Sequence, residues 1–592
     1  LAYGNTAAAA LTLWSNSTYT GPTLVYGGIL QLAGNAQLSG TSAIELSYGV
    51  LQINNGQDSG GGGGGAFLGN RIPDTAPITM RGARLNFIGR NWTDTQENLG
   101  VVTLAEGGSD LHINATAPSG TYSIKLVMAD LKHNTDAILN IQGAPGVLNT
   151  RQILVTAWEN NMTGVTVNNI ITGWIGIGGN DLASYLPGLG LAPLNQTGYA
   201  GYDNVAATAL PAASAAAATQ NLKLTATSTV PLGGLAVNAL VTAGGSNLLF
   251  RDSADVLGFT AGTFMKPNGS NSFVGFFPGS GKLTSLLPAT NGVAPFYIHS
   301  HAQQLTMNSS IVDNGSTPVR LVLTTYNSGT FLLASSANSY TGGTSINGWG
   351  PSANSNAFTL GAGAYLPAGG LTISAADFTQ RLGGIIDPRN VLTTNAAGTV
   401  NLAGTNTLAG LVMNTNGGWQ FATGNIMTIN VGTRLTLTGG ITTTSNNVAS
   451  YAYIQQGTLD LNGNSRFAFN VGAPSFNGQV LDDNNRHLQV NSVIANGGLV
   501  KTGSGSLLLA GANTYAGGTF LQQGSLILYN NAALGTGPLF VNGNSTLTAW
   551  PSGGPFTMAN PVFIAPGVTS LRLGQFGTSA QTFSGPIHLG NA

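Results

Sequence analysis

Side-chain chemistry needs clustered carboxylates, imidazoles, thiols or amines, and this chain of 592 residues has few: 19 Lys and Arg, 20 Asp and Glu, 6 His and no Cys. Two acidic pairs stand near a base. Asp252 and Asp255 follow Arg251, and Asp482 and Asp483 precede Arg486 and His487. Paired carboxylates with a nearby cation are what a polysaccharide hydrolase or lyase needs. Neighbouring residues of a strand point to opposite faces, so Asp482 and Asp483 read better as a polar turn, "LDDNNRH", than as a shared site. That loop offers oxygen ligands to Ca²⁺, but its spacing matches no Ca²⁺-loop motif. His299 and His301, in "IHSH", would share one face of a strand as metal ligands do. No third ligand lies nearby in sequence, and a pair of surface histidines is the expectation. "PGSGKLT" at 278–284 fails as a phosphate loop, because Phe276 stands where the first Gly belongs and Leu283 follows the Lys. There is no G-x-S-x-G elbow. The expectation is therefore no catalytic, cofactor-binding or metal site, with a carbohydrate-active enzyme as the alternative.

Composition narrows the field further. Only 7% of residues are charged and the net charge is −1, which disfavours nucleic acid, since phosphates need a basic stripe. A hydrophobic content of 42% disfavours disorder. Without Cys, neither disulfides nor thiolate sites can form, and a long ladder of backbone hydrogen bonds would serve as the staple. No apolar run reaches the ~18 residues of a membrane-spanning helix. An exported chain beginning at Leu1 is expected to have its signal removed or outside these residues.

The positioning elements are short strands. Glycine occurs 86 times without a collagen period and marks turns. After it a unit of alternating apolar residues recurs: "GILQL" at 28–32, "GVLQI" at 49–53, "GTFLL" at 329–333, "GTVNL" at 398–402, "GTLDL" at 457–461, "GSLLL" at 505–509 and "GSLIL" at 524–528. Period-two patterning after Gly is a turn followed by a half-buried strand. Gly28 and Gly49 are 21 residues apart and Gly505 and Gly524 are 19 apart. A period of ~20 residues made of short strands predicts a β-solenoid, because one unit cannot bury its apolar face alone. Coiling throughout would give on the order of 30 rungs and a rod over ~100 Å long.

A longer repeat overlies this one. "LTLWSNSTYTGPT" (11–23), "LLASSANSYTGGT" (332–344), "VNLAGTNTLAG" (400–410) and "LLLAGANTYAGGT" (507–519) align around Asn-Ser/Thr-Tyr/Leu-x-Gly. Asn suits a turn, paired glycines permit a sharp corner, and Thr restarts a strand. The Tyr is expected to lie over the neighbouring corner. Two segments interrupt the pattern: a Gly-rich loop at 59–77, and an Ala-rich stretch at 201–222 expected to be a short helix, excursion or linker. They give three regions: a solenoid over 1–200, the Ala-rich segment 201–222, and a solenoid over 223–592 holding the clearest repeats. Residues 171–194 are glycine-rich and aromatic without strand alternation. Trp14, Trp349, Trp419 and Trp550 are expected to form a buried stack or cap, the alternative being exposed platforms for sugars. The Asn-x-Ser/Thr sequons at Asn16, Asn91, Asn114, Asn308 and Asn544 are what chance yields in such a composition.

Residues 505–537 resemble the autotransporter-associated β-strand repeat: Asn513, Thr514, Tyr515, Gly517, Gly518, Thr519, Gly524, Leu526, Leu528, Ala533, Leu534 and Gly535 fall on its pattern. Tyr340, Gly342, Gly343 and Thr344 repeat it, as do Tyr19 and Gly21, although Pro22 replaces one glycine there and Leu408 replaces the Tyr at 400–410. The resemblance implies a right-handed parallel β-helix exported by Gram-negative bacteria to the cell surface or medium, where it would be secreted, displayed or built into the matrix. The resemblance says little about activity; the low charge, the repetition and the want of a reactive cluster lead to the expectation of a non-catalytic structural or adhesive rod. Its partners would be further copies, head to tail or lateral, surface glycans, or receptors on host or neighbouring cells. The other alternative is a stalk for an effector domain outside these residues.

Overall fold

The computed structural model describes residues 1–4, 10–56, 68–90, 93–115, 122–143, 150–158, 166–199, 201–243, 245–327, 329–349, 357–415, 426–448, 450–476, 479–481, 486–550, 555–575 and 580–590. The architecture is an all-β parallel β-helix. Among the described residues there is no α-helix, and the Ala-rich segment contributes a single 3₁₀ turn, Ala217–Thr219. The chain divides into two compact units. The first comprises Leu1–Gly369 with Ile373–Asp377; the second comprises Gly370–Thr372 and most of the chain from Phe378 onward.

The first unit begins with a coil of two parallel sheets. One runs through Ala2–Gly4, Thr23–Tyr26, Ile44–Ser47, Ile78–Arg81, Thr95–Glu106, Ile124–His133 and Arg151–Trp158. The other takes the alternate strands, from Ala10–Leu13 through Ile29–Leu32 and Val50–Asn54 to Ile175–Ile177. The repeat period is the register of this ladder, since Leu30 pairs with Leu51, 21 residues on. The same register stacks Leu30, Leu51, Leu85, Leu111, Ile141 and Ile177 in one column. All six are buried, each contributing about 1.5–3 kcal/mol as apolar surface removed from water. On the outer face the same register aligns amides, so Asn86 donates to Gln52 at 2.8 Å and Gln52 donates to Gln31 at 2.7 Å. Side-chain amide ladders of this kind replace ions as the surface polar groups, which accounts for the low charge.

The coil then stops. After Ile175–Ile177 the strands Asp181–Leu186 and Gly190–Pro193 pair antiparallel, closing the sheet with a meander. A second two-sheet coil starts at Asn204–Ala207 and runs back along the first. Its early residue Lys223 meets Asp181, Thr263 and Tyr297 face Gly173, Arg320 pairs with Asp136, Asn347 donates to the Asp136 carbonyl, and Ser374 reaches Tyr48. As numbers rise along the second coil they fall along the first, so the two coils lie side by side in opposite directions. The chain thus folds back once, at about the meander.

In the second unit a rung acquires a third side. Thr405–Leu408, Arg434–Leu437, Thr458–Asp460 and Val493–Ala495 form a four-stranded parallel sheet alongside the two long ones. The 19-residue period is again a register, with Leu507 opposite Leu526.

Candidate functional site

The repeat motif has a structural role that recurs in three copies. Tyr515 and Thr519 share a hydrogen bond of 2.6 Å between hydroxyls, Tyr340 and Thr344 one of 2.7 Å, and Tyr19 and Thr23 one of 2.5 Å. Tyr340 and Tyr515 are fully buried, and Tyr19 also reaches the Thr41 hydroxyl of the next turn. The Asn two residues earlier stitches rungs: Asn513 accepts from Ile494 N at 2.8 Å and donates to Ala533 O at 2.6 Å, and Asn338 accepts from Ile311 N and donates to Tyr365 O. Thr514 N bonds Ile494 O. Gly343 and Gly518, at the same motif position, have φ of +86° and +82°, where a side chain would strain the backbone. Gly342 and Gly517 press on the preceding rung's backbone, Gly524 on Gly503 and Gly505, while Gly21 faces open space. Leu526 and Leu528 face the core. Tyr515→Phe should cost about 1–2 kcal/mol by orphaning the buried Thr519 hydroxyl. Hydrogen exchange over Thr519–Leu521 measures it, and unchanged protection there would contradict the assigned bond.

The acid–base candidates are occupied with holding turns. Asp255 is buried and accepts from Gly233 N at 2.7 Å and Asp252 N at 3.0 Å; Asp252 accepts from Ala254 N at 2.8 Å. Asp482 and Asp483 lie outside the described residues. Arg486 donates to Tyr451 OH at 3.0 Å and stands over the Tyr451 ring, and His487 Nδ1 accepts from Ser506 N at 2.8 Å. Lys282, of the failed phosphate loop, begins the strand Lys282–Ser285. Among the described residues no group of three His, Cys, Asp or Glu side chains could hold a metal, and no helix is long and apolar enough to cross a membrane.

Two expectations are overturned. His299 and His301 are not at the surface: they are 1% and 5% exposed. They share a face of Ala294–His301 as the alternation implied, but that face is pressed against the first coil. His299 Nε2 donates to Gly173 O at 2.6 Å, which leaves Nδ1 to accept from Tyr326 OH at 3.0 Å. His301 Nδ1 donates to Asn180 at 2.8 Å. The tryptophans do not form one buried stack. Trp14 is 56% exposed, Trp550 is half-buried at the edge of Tyr529, and Trp419 and the Trp349 side chain lie outside the described residues. The fully packed pair is Trp158 and Trp174, 6.4 Å apart edge to face.

The glycines that made 171–194 unreadable as strand are what let the coils meet. A Cβ on Gly173 would stand 2.4 Å from Thr263 Cβ, and one on Gly179 would stand 3.1–3.2 Å from Tyr326 and His301. Beside this contact, Arg320 grips the Asp136 carboxylate through Nε and Nη2 and donates to Gly342 O at 2.9 Å. Tyr297 OH donates to Thr135 O at 3.3 Å. Between these contacts the coils do not close completely. They leave a cavity of about 250 Å³ lined by His133, Thr135 and Thr172 of the first coil and Leu287, Pro288, Thr290, Pro295 and Tyr297 of the second. His133 stacks flat on Trp174 at 4.1 Å.

Buried charges were not singled out by sequence. Arg71 is fully buried and donates to Asn55 at 2.6 Å, Ala36 O at 2.6 Å and Gly34 O at 2.8 Å. Lys501 donates to Thr502 O, Gly503 O and Gln523 O at 2.7–3.1 Å, and Lys266 donates to His301 O at 2.9 Å and to Ala302 O. Burial pushes the Lys501 amine down to about 7 and the Lys266 amine to about 8. The signal for the lysines was available: each sits in a run of alternating apolar residues, "GTFMK" and "GLVKT", where a solvated charge has no place.

The passenger-associated-transport-repeat model matches residues 8–32, 323–348 and 499–528, which contain the copies at 11–23, 332–344 and 507–519 and omit the Leu408 copy. An extracellular serine protease of Serratia marcescens is 36% identical over 77 residues, which are 13% of this chain and 7% of that protein. No solved structure matches the chain. The repeat goes with an extracellular or surface-exposed location. The three Tyr–Thr corners of the coil thus coincide with the three stretches that match the passenger-associated-transport repeat.

Proposed function

We propose that the chain is a non-catalytic scaffold of the bacterial exterior, acting as a structural and adhesive surface. One observation carries this reading: the groups that chemistry would recruit are consumed by the fold. Asp252 and Asp255 hold backbone amides, His299 and His301 hold the coil contact, and Lys266 and Lys501 hold corner carbonyls. A general acid or base needs an accessible proton-transfer position; five of these six are buried, and the exposed Asp252 stands with no second carboxylate free beside it, since Asp255 is buried on backbone amides. The parallel ladder and apolar columns supply rigidity without metals or disulfides.

The test pairs adhesion with turnover. The purified chain, coated on beads, should retain bacterial or host cells, and the same preparation should release no reducing ends from neutral or acidic polysaccharides. Turnover lost in Asp252→Asn or in Asp482→Asn/Asp483→Asn would overturn the non-catalytic reading. Beads that retain no more cells than uncoated ones would overturn the adhesive one.

A further inference from the structure

The cavity between the two coils of the first unit is built from chemistry that packing alone does not call for. Its walls combine an aromatic ring, Tyr297, with apolar Leu287, Pro288 and Pro295. Thr135, Thr172 and Thr290 line the same space, and none of the three has a side-chain hydrogen bond among the described residues. The lining holds no Asp, Glu, Lys or Arg side chain. The flanking charges, Asp136 beside Thr135 and Arg320 opposite Pro295 in the ladder, neutralise each other in a two-pronged pair. The rim residues Pro288 and Thr290 are exposed, so the space can be entered from solvent.

Each class of ligand meets these walls differently. An anion or cation would find no counter-charge and would lose its hydration. A purely apolar ligand would leave three hydroxyls dry. An extended peptide needs a free strand edge for its backbone, and the coil ladders here are already paired. At 250 Å³ the space lies below the usual range for drug-sized ligands of about 300–1,000 Å³, so it admits one ring. A ring with an apolar face and an edge of hydroxyls suits these walls: its C–H face lies on Pro288 and the His133 ring, and its hydroxyls exchange hydrogen bonds with threonines that can donate and accept.

We propose that this cleft binds a single uncharged pyranose, such as the terminal residue of a surface glycan entering end-on between Pro288 and Thr290. Both coils contribute, so the site exists only because the chain folds back. Thr135, Thr172 and Thr290 set the preference for a polyol, the buried Tyr297 forms the floor, and the half-buried His133 ring, backed by Trp174, with the exposed Pro288 supplies the stacking surface. The site deepens the adhesive reading above and rests on it for its purpose, but not for its test.

Saturation-transfer NMR on the intact chain, with methyl glycosides of glucose, galactose, mannose and N-acetylglucosamine and with methyl glucuronide as the charged control, decides the matter. At least one neutral glycoside should bind with millimolar affinity, the range open to a ligand of so few atoms, and the glucuronide should bind at least fivefold more weakly. Thr135→Val, which keeps the shape and removes the hydroxyl, should weaken binding about tenfold. Thr290→Trp, a substitution at the exposed rim that leaves the core untouched, should abolish it; if Thr135→Val proves unfolded by circular dichroism, this variant decides alone. No binding by any neutral glycoside, binding undiminished in Thr290→Trp, or equal binding of the glucuronide would each overturn the proposal. A chain that binds no glycoside and still retains cells would sink the cleft and leave adhesion standing.

Discussion

Arg71→Ala should loosen the first coil by about 3–5 kcal/mol, the range for removing one member of a buried, hydrogen-bonded charge network. The guanidinium holds three oxygens of two other turns: Gly34 O, Ala36 O and Asn55 Oδ1. Its own backbone amide, with that of Ile72, is held by Glu97 from the next turn at 2.9 Å each. Truncation would therefore orphan three acceptors at once and leave the Glu97 carboxylate buried without the cation that stabilises it. Burial already pushes the Glu97 carboxyl up to about 7, with the Arg71 and Ile72 amides and the Arg71 charge opposing. Arg71→Ala should push it further. Hydrogen-exchange mass spectrometry on the whole chain reads the effect locally, which suits a repetitive fold where a single global transition is not assured. Protection over Ile29–Leu32, Val50–Asn54 and Thr95–Glu106 should fall by about two to four orders of magnitude, at 1.36 kcal/mol per decade, while strands of the second unit keep theirs. Arg71→Met, which keeps most of the volume, should recover little, because the loss lies in the bonds; full recovery would show that packing was what mattered.

Acidification should part the two coils at His299. Burial holds the His299 imidazole down at about 4, and the same cause with Lys266 beside it holds His301 at about 4. An unfolded histidine titrates near 6.5. The folded state thus resists a proton that the unfolded state accepts, so the stability is whole above pH 6.5 and is lost as pH falls toward 4. For His299 the loss is roughly 3 kcal/mol across that window. Other groups run the opposite way. Glu97, and Asp110 pushed up by burial to about 6 against the pull of Arg84, gain stability as pH falls through their folded values. The global pH dependence is therefore a poor readout, and the comparison must be between the chain and His299→Gln. Exchange over Ile175–Ile177 and Ala294–His301 should quicken between pH 6.5 and 4 in the chain, quicken less in His299→Gln, where His301 still titrates, and stay flat in His299→Gln/His301→Gln, once the intrinsic pH dependence of exchange is removed. Parallel curves would locate the acid sensitivity elsewhere.

The reading of strands from sequence succeeded where one principle sufficed. Gly-x-Leu-x-Leu spacing located strands such as Ile29–Leu32 and Gly524–Leu528, and the intervals of 21 and 19 residues are the ladder registers. The fold-back was not legible, because its contacts join residues such as Asp136 and Arg320, 184 apart, and obey no period. The histidines show why the site was missed. Alternation in "IHSH" put both on one face correctly, but reading that face as solvated assumed a strand with one wet side. All eight residues of Ala294–His301 are buried, on the core side by the coil and on the other by its neighbour. Likewise Gly173 and Gly179 looked like loop residues, since a glycine chosen for close approach and one chosen for a turn carry the same letter.

The opposed direction of the two coils also has a mechanical meaning. Along each coil, tension on the stack is shared by every hydrogen bond of a ladder at once. Between the coils the contacts stand in series, from Tyr48 with Ser374, through Asp136 with Arg320 and His299 with Gly173, to Asp181 with Lys223. A pull applied across the first coil's early turns and the second coil's late ones would open these fastenings one after another, like a zip, with the meander as its stop. The chain would lengthen at modest force while every ladder stayed intact, and the glycan cleft, lying partway along the seam, would open only after the Tyr48 and Asp136 fastenings had given way.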